Sequence, residues 1–196
     1  MTATRIERKT KETDIAVQFE IFGKGEYSLD TGVGFFDHML ELFAFHGGFD
    51  LTVKCKGDLK VDAHHTVEDT GIVLGQAFKK QLPKDKRIVR YSAAHVPMDE
   101  TLVRAVVDIS GRAYLVFDAE FELTKVGEFE TELVNEFFRA FVNHAQLNLH
   151  LTVLYGKNTH HRIEALFKAT AVALRQAIQI EPTLSGPASS KGALME

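Results

Sequence analysis

Two motifs recur at nearly the same spacing, and no other feature narrows the fold of this chain as far. Asp50-Leu-Thr-Val53 returns as His150-Leu-Thr-Val153, and His64-His65-x-x-Glu68 returns as His160-His161-x-x-Glu164, shifts of 100 and 96 residues in a chain of 196. A shift of about half the chain means one small unit used twice, with the two copies burying their apolar faces together. The surrounding patterns agree. Alternating Ile15, Val17, Phe19 and Ile21 predict a strand over 15–22, followed by a short strand over 27–29 and an apolar helix over 35–45. After the Gly47-Gly48 break come a strand over 51–55 and a helix from His64, with Val67, Leu74, Ala77, Phe78 and Leu82 at helical spacing until Pro83 ends it. The second half repeats that order: strands over 102–109 and 113–117, a helix over 132–145, a strand over 149–154 and a helix over 160–178. The predicted fold class is therefore α+β, an internally duplicated strand-strand-helix-strand-helix unit with sheets packed against helices. The repeats cover about 10–87 and 88–180, and the Pro-, Gly- and Ser-rich stretch over 181–196 reads as an extended arm.

Charge and composition exclude several function classes. A net charge of −4 gives no general attraction to nucleic acid, so that partner is not expected. No run approaches the roughly 18 apolar residues of a membrane span, and the first residues carry no apolar signal core. The single cysteine, Cys55, cannot form an internal disulfide. These features predict a cytoplasmic globular protein with no membrane partner.

Four of the nine histidines stand in the two adjacent pairs, each followed at the same distance by glutamate. On a helix, positions i, i+3 and i+4 share a face, while neighbours diverge by about 100°. Glu68 can therefore join His64 or His65 on one ion, whereas adjacent imidazoles point to different ions, and the two repeats together predict a dinuclear site. Shifting the first helix by 98 residues lays His38 of Phe35-Phe-Asp-His38 on Glu136 of Leu133-Val-Asn-Glu136, and both side-chain types bind metals. The ligand set becomes His38, His64, His65, Glu68, Glu136, His160, His161 and Glu164. Nitrogen and oxygen donors without thiolate suit Mn, Fe, Zn or Ni, and the mixture of imidazole with carboxylate leans toward Mn in a reducing cytoplasm. A single histidine pair could equally cap a helix or sit on a polar surface; two matched pairs do not fit that role. His46 shares a helix face with His38 and suits either the same site or the helix C-terminus. His95, His144 and His150 have no matched carboxylate and read as structural.

Among the cations, Arg112 in the turn after Ser110-Gly111 and Lys191 in Ser189-Ser-Lys191-Gly stand where hydroxyls and free amides can cradle a phosphate, while Arg90 and Lys168 would be surface charges by default. The chain has no GxxxxGK[ST] loop, no GxGxxG after a strand and no GxSxG elbow, which leaves nucleotide binding and serine-nucleophile chemistry unsupported.

At Gly34-Phe-Phe-Asp-His-Met-Leu40, Asp62-Ala-His-His-Thr-Val-Glu-Asp69, Ser110-Gly-Arg112, His160-His-Arg-Ile-Glu-Ala-Leu-Phe-Lys168 and Ser189-Ser-Lys-Gly192, the chain resembles imidazoleglycerol-phosphate dehydratases over nearly its whole length. The resemblance implies a duplicated fold of the ribosomal protein S5 domain 2-like kind, assembly into a hollow 24-subunit shell, and two Mn2+ per active site at subunit contacts. It implies dehydration of imidazole glycerol phosphate to imidazole acetol phosphate in histidine biosynthesis. The eight ligands above carry over, although some relatives have histidine where this chain has Glu136. Arg90, Arg112, Lys168, Ser189 and Lys191 would hold the phosphate, and Glu12 would touch the substrate. As a hypothesis, Glu12, Glu68 or Glu164 serves as general base and His46 as acid; full turnover by metal-free protein would sink the scheme. A dinuclear phosphate-ester hydrolase and a non-catalytic metal-storage shell could use the same residues. Release of inorganic phosphate would mark the first, and absence of any product the second.

Overall fold

Strict alternation of Ile15, Val17 and Phe19 puts one face of a strand, β2 (Thr13–Glu20), wholly inside the molecule. In the computed structural model, which describes residues 3–83 and 86–183, the first repeat continues through β3 (Tyr27–Asp30), α1 (Gly34–Gly47), β4 (Asp50–Gly57) and α2 (His64–Gln81). The second repeat contains β6 (Thr101–Asp108), β7 (Tyr114–Asp118), α3 (Leu133–Ala145), β10 (Asn148–Tyr155) and α4 (Thr159–Ala177). Each unit begins one strand earlier than its apolar pattern predicts, with β1 (Thr4–Lys9) and β5 (Tyr91–Met98). Both are edge strands, and their sequences explain why the pattern is silent. β1 carries only Ile6 as a large apolar residue, and β5 is alanine-rich with Pro97 near its end, a residue tolerated at a sheet edge. A two-residue hairpin, β8 (Lys125–Val126) with β9 (Phe129–Glu130), also precedes α3 without a sequence signal.

The two sheets have the same order, β1-β2-β4-β3 and β5-β6-β10-β7. In both, the first three strands pair antiparallel, and the short fourth strand runs parallel to its neighbour, with one helix crossing between them. The repeats then trade helices. α2 lies on the first sheet and against α3, while α4 lies on the second sheet and against α1, so four helices are enclosed between two sheets. Phenylalanine fills this layer. The Phe137 ring centroid is 5.4 Å from that of Phe36 and 5.1 Å from that of Phe167, joining α3 to α1 and α4 through one cluster.

α2 and α3 approach closely because α2 has Gly71 and Gly75 facing its partner. A Cβ on Gly75 would stand 2.5 Å from the Phe141 carbonyl oxygen, and one on Gly71 would stand 2.8 Å from that of Phe137. Alanine favours helix by about 1 kcal/mol over glycine, but here the methyl group would push two helix backbones apart. Gly75→Ala is therefore expected to destabilise the protein by about 1–3 kcal/mol, measured by thermal or denaturant unfolding; a rise in stability would contradict the close approach.

Candidate metal centre and anion-binding residues

Both histidine pairs lie in the first turn of a helix, and a short polar side chain two residues ahead fixes each. Asp62 Oδ1 accepts the His64 amide N–H at 2.8 Å, and Asn158 Oδ1 accepts the amides of His160 and His161 at 2.9 and 3.4 Å. Because the helices are exchanged, each pair faces a helix of the other repeat. His160 and Glu164 on α4 meet His38 on α1, and His64 and Glu68 on α2 meet Glu136 on α3. Within each triad the donor atoms lie within 4.8 Å of one another. His38 and Glu136, matched by the 98-residue shift, thus stand at equivalent places, each beside the histidine and glutamate of the other repeat.

In the first triad Glu164 Oε2 is 3.2 Å from His160 Nε2 and 3.7 Å from His38 Nε2, and its side chain is 7% exposed. Burial pushes the Glu164 carboxyl up, but hydrogen bonding and charge from Lys168, followed by His160, outweigh it and hold the group below its ordinary value. In the second triad His64 Nε2 is 3.8 Å from Glu68 Oε2, and Glu136 is engaged by Arg139 one turn along α3. Both triads combine imidazole nitrogen with carboxylate oxygen and hold no thiol, which fits a divalent first-row ion. Cys55 plays no part: it is half-buried in β4 and burial pushes its thiol up to about 11, leaving it inert.

The second member of each pair turns away, as diverging helix positions require. The rings of His64 and His65 are 6.0 Å apart and nearly perpendicular at 84°, and those of His160 and His161 are 6.2 Å apart at 81°. His65 faces Asp58, with Nδ1 at 3.1 Å, and Glu12, with Nε2 at 3.7 Å. Asp58 is the leading cause that raises the His65 pKa. His161 faces Glu100, with Nδ1 at 2.7 Å, and Asp99, with Nε2 at 3.9 Å. None of Asp58, Asp99, Glu100 or Arg139 stands out in the sequence. The one available signal is the step Glu12-Thr13, which recurs as Glu100-Thr101 at the start of the matching strand.

His46 lies on α1 beyond the first triad. Burial, then Lys168, lowers its pKa. Arg90 and Arg112 lie at the same end of the second sheet, Arg90 just ahead of β5 and Arg112 between β6 and β7. Arg90 adopts a left-handed backbone, φ 78°, and its Nε donates to Asp108 at 2.7 Å while its guanidinium lies 4.6 Å over the Tyr91 ring. Asp108 raises its pKa. A shallow groove of about 360 Å³ opens at that end of the sheet, lined by Tyr91, Val106, Asp108 and His150 among others, with no triad residue in its lining. Lys168 is at the opposite end of β5, its Nζ 3.6 Å from Met98 Sδ and paired with Glu164. Eight residues of strand at about 3.3 Å each separate Arg90 from Met98, so the two cations of one chain are on the order of 20 Å apart. Within one chain they cannot grip the same phosphate. Ser189 and Lys191 lie outside the described residues.

The profile of imidazoleglycerol-phosphate dehydratase matches residues 31–174. The dehydratase of Limosilactobacillus fermentum is 57% identical over 99% of this chain and 100% of its own, and that of Acetivibrio thermocellus is 58% identical over 96% and 97%. Among solved structures, the Staphylococcus aureus dehydratase superposes with a TM-score of 0.84 at 44% identity, covering 92% of this chain and 100% of that one. The Pyrococcus furiosus dehydratase, solved in complex with (S)-C348, superposes with a TM-score of 0.84 at 35% identity, covering 96% and 100%.

Proposed function

The chain belongs to the imidazoleglycerol-phosphate dehydratase family, hydro-lyases of histidine biosynthesis, and on that premise we propose that it converts imidazole glycerol phosphate to imidazole acetol phosphate with two Mn2+ held at the triads. The observation that carries this reading is the pair of pseudo-symmetric triads, His38/His160/Glu164 and His64/Glu68/Glu136, built from different donors at equivalent places. Three donors per ion come from one chain. His65 and His161, whose Nε2 atoms lie away from these triads, are the fourth donors, offered to the triads of neighbouring chains in a 24-subunit shell.

The proton to be removed comes from a carbon with no adjacent carbonyl. When bound, the divalent ions supply Lewis-acid stabilisation of negative charge on the imidazole ring, the electron sink that a carbonyl would otherwise provide. The residues of the chain do the rest. Glu12, in the turn ahead of β2, takes the carbon-bound proton. Its turn is anchored: Thr13 Oγ1 donates to Asp69 Oδ2 at 2.5 Å, and Asp69 also pairs with Arg8. His46, whose pKa burial lowers, takes up a proton and passes it to the leaving hydroxyl. Arg90 and Arg112 from one chain and Lys168 from another hold the phosphate, and the arm over 181–196 adds Ser189 and Lys191. The single cysteine agrees with a cytoplasmic setting for such an enzyme.

The test is ketone formation from imidazole glycerol phosphate. Chelator-stripped protein is expected to be inactive and to recover on adding Mn2+, with no inorganic phosphate released. Full turnover without metal would overturn the metal-dependent scheme, and phosphate release would point to a hydrolase.

A further inference from the structure

The Glu-Thr step that opens β2 also opens β6, and the two threonines, Thr13 and Thr101, are both buried. Equivalent glutamates would be expected to act alike, yet they do not. Glu100 is held on both carboxylate oxygens. Oε1 accepts the amides of Lys157 and Asn158 at 3.0 and 2.8 Å, and Oε2 meets His161 Nδ1 at 2.7 Å. Glu12 accepts none of these bonds. In the first repeat Asp58, directly after Gly57 of β4, meets His65 Nδ1 at 3.1 Å and leaves Glu12 on the far nitrogen. An ionised carboxylate can only accept, so a Nδ1 facing one carries the proton and the neutral ring keeps its lone pair on Nε2.

We propose that Glu100 and Asp58 are positioning residues that fix His161 and His65 as Nε2 donors, and that because Asp58 takes this task in the first repeat, Glu12 is left free for substrate. The division of labour rests on the metal-dependent reading above. It explains why two matched glutamates have opposite fates. The repeats solve the same orientation problem from different loops, Glu100 from the β5–β6 turn and Asp58 from the β4–α2 connection.

The experiment is Mn2+ titration of the chelator-stripped full chain, with free Mn2+ followed by its electron paramagnetic resonance signal and unfolding of the stripped protein measured in parallel. Asp58→Ala and Glu100→Ala are each expected to weaken Mn2+ binding by about 10- to 100-fold, the usual effect of removing an outer partner of a metal-bound histidine. The melting temperature of stripped Asp58→Ala should fall by only a few degrees, the loss of one part-buried hydrogen bond, because among the described residues the hydrogen bonds of the Asp58 side chain run to that ring alone. Asp58→Asn, whose amide oxygen still accepts from Nδ1, should recover most of the affinity. Wild-type Mn2+ affinity in Asp58→Ala and Glu100→Ala, or no recovery in Asp58→Asn, would overturn the proposal while leaving the metal reading in place. Wild-type protein that binds no Mn2+ would overturn both.

Discussion

Glu164→Ala is expected to lower turnover by about three orders of magnitude or more and to leave one bound ion per chain where the proposed wild-type centre holds two. Glu164 is the hub of the first triad, its Oε2 at 3.2 Å from His160 and 3.7 Å from His38, with Lys168 on the other oxygen. Removing the carboxylate deletes a ligand and also strands the Lys168 ammonium, whose side chain is only 15% exposed, beside two imidazoles. A unit charge and a dication about 5 Å apart at an effective dielectric of about 20 repel by roughly 7 kcal/mol. A third of that is already more than a tenfold loss of affinity. Glu164→Gln keeps the volume and one oxygen acceptor but not the charge, so it should fall between wild type and alanine. Metal content of the purified variant, measured by atomic spectroscopy beside turnover, decides the matter: two ions per chain with turnover within tenfold of wild type would remove Glu164 from the site.

That expectation was already legible in the sequence, because a ligand set drawn from helix faces has fixed spacing. The 98-residue shift that lays His38 on Glu136 is visible without coordinates, and the exchange of helices between the sheets is what turns that alignment into contact. Edge strands β1 and β5 escape notice because a strand with one buried face and one open side needs few apolar residues. Asp58, Glu100 and Asp99 escape for a different reason. They come from turns whose lengths differ between the repeats, so no constant spacing ties them to the histidines they serve. Arg90 and Lys168 mark a third limit. A shared motif set names both as phosphate contacts, but only the strand between them shows that one chain places them at opposite ends.

If one phosphate is held by Arg90 of one chain and Lys168 of another, Arg90→Ala and Lys168→Met should each be nearly inactive alone, losing about 10²–10³-fold in kcat/KM through the missing charge-assisted contact. Mixed and reassembled, they should regain activity. Random association makes roughly one site in four from the intact Arg90 of one variant and the intact Lys168 of the other, so the mixture should approach a quarter of wild-type turnover. Unmixed samples would stay at their floor. Lys168 also pairs with Glu164, so the methionine variant must first be shown to keep its bound metal; Lys168→Gln, which keeps an N–H donor for Glu164 without the charge, serves in its place if it does not. The geometry allows no such recovery from a site made within one chain, because a mixture of chains each lacking one cation would contain no complete site at all. A mixture no more active than its two components would therefore return both cations to a single chain's site, against the length of β5 that separates them.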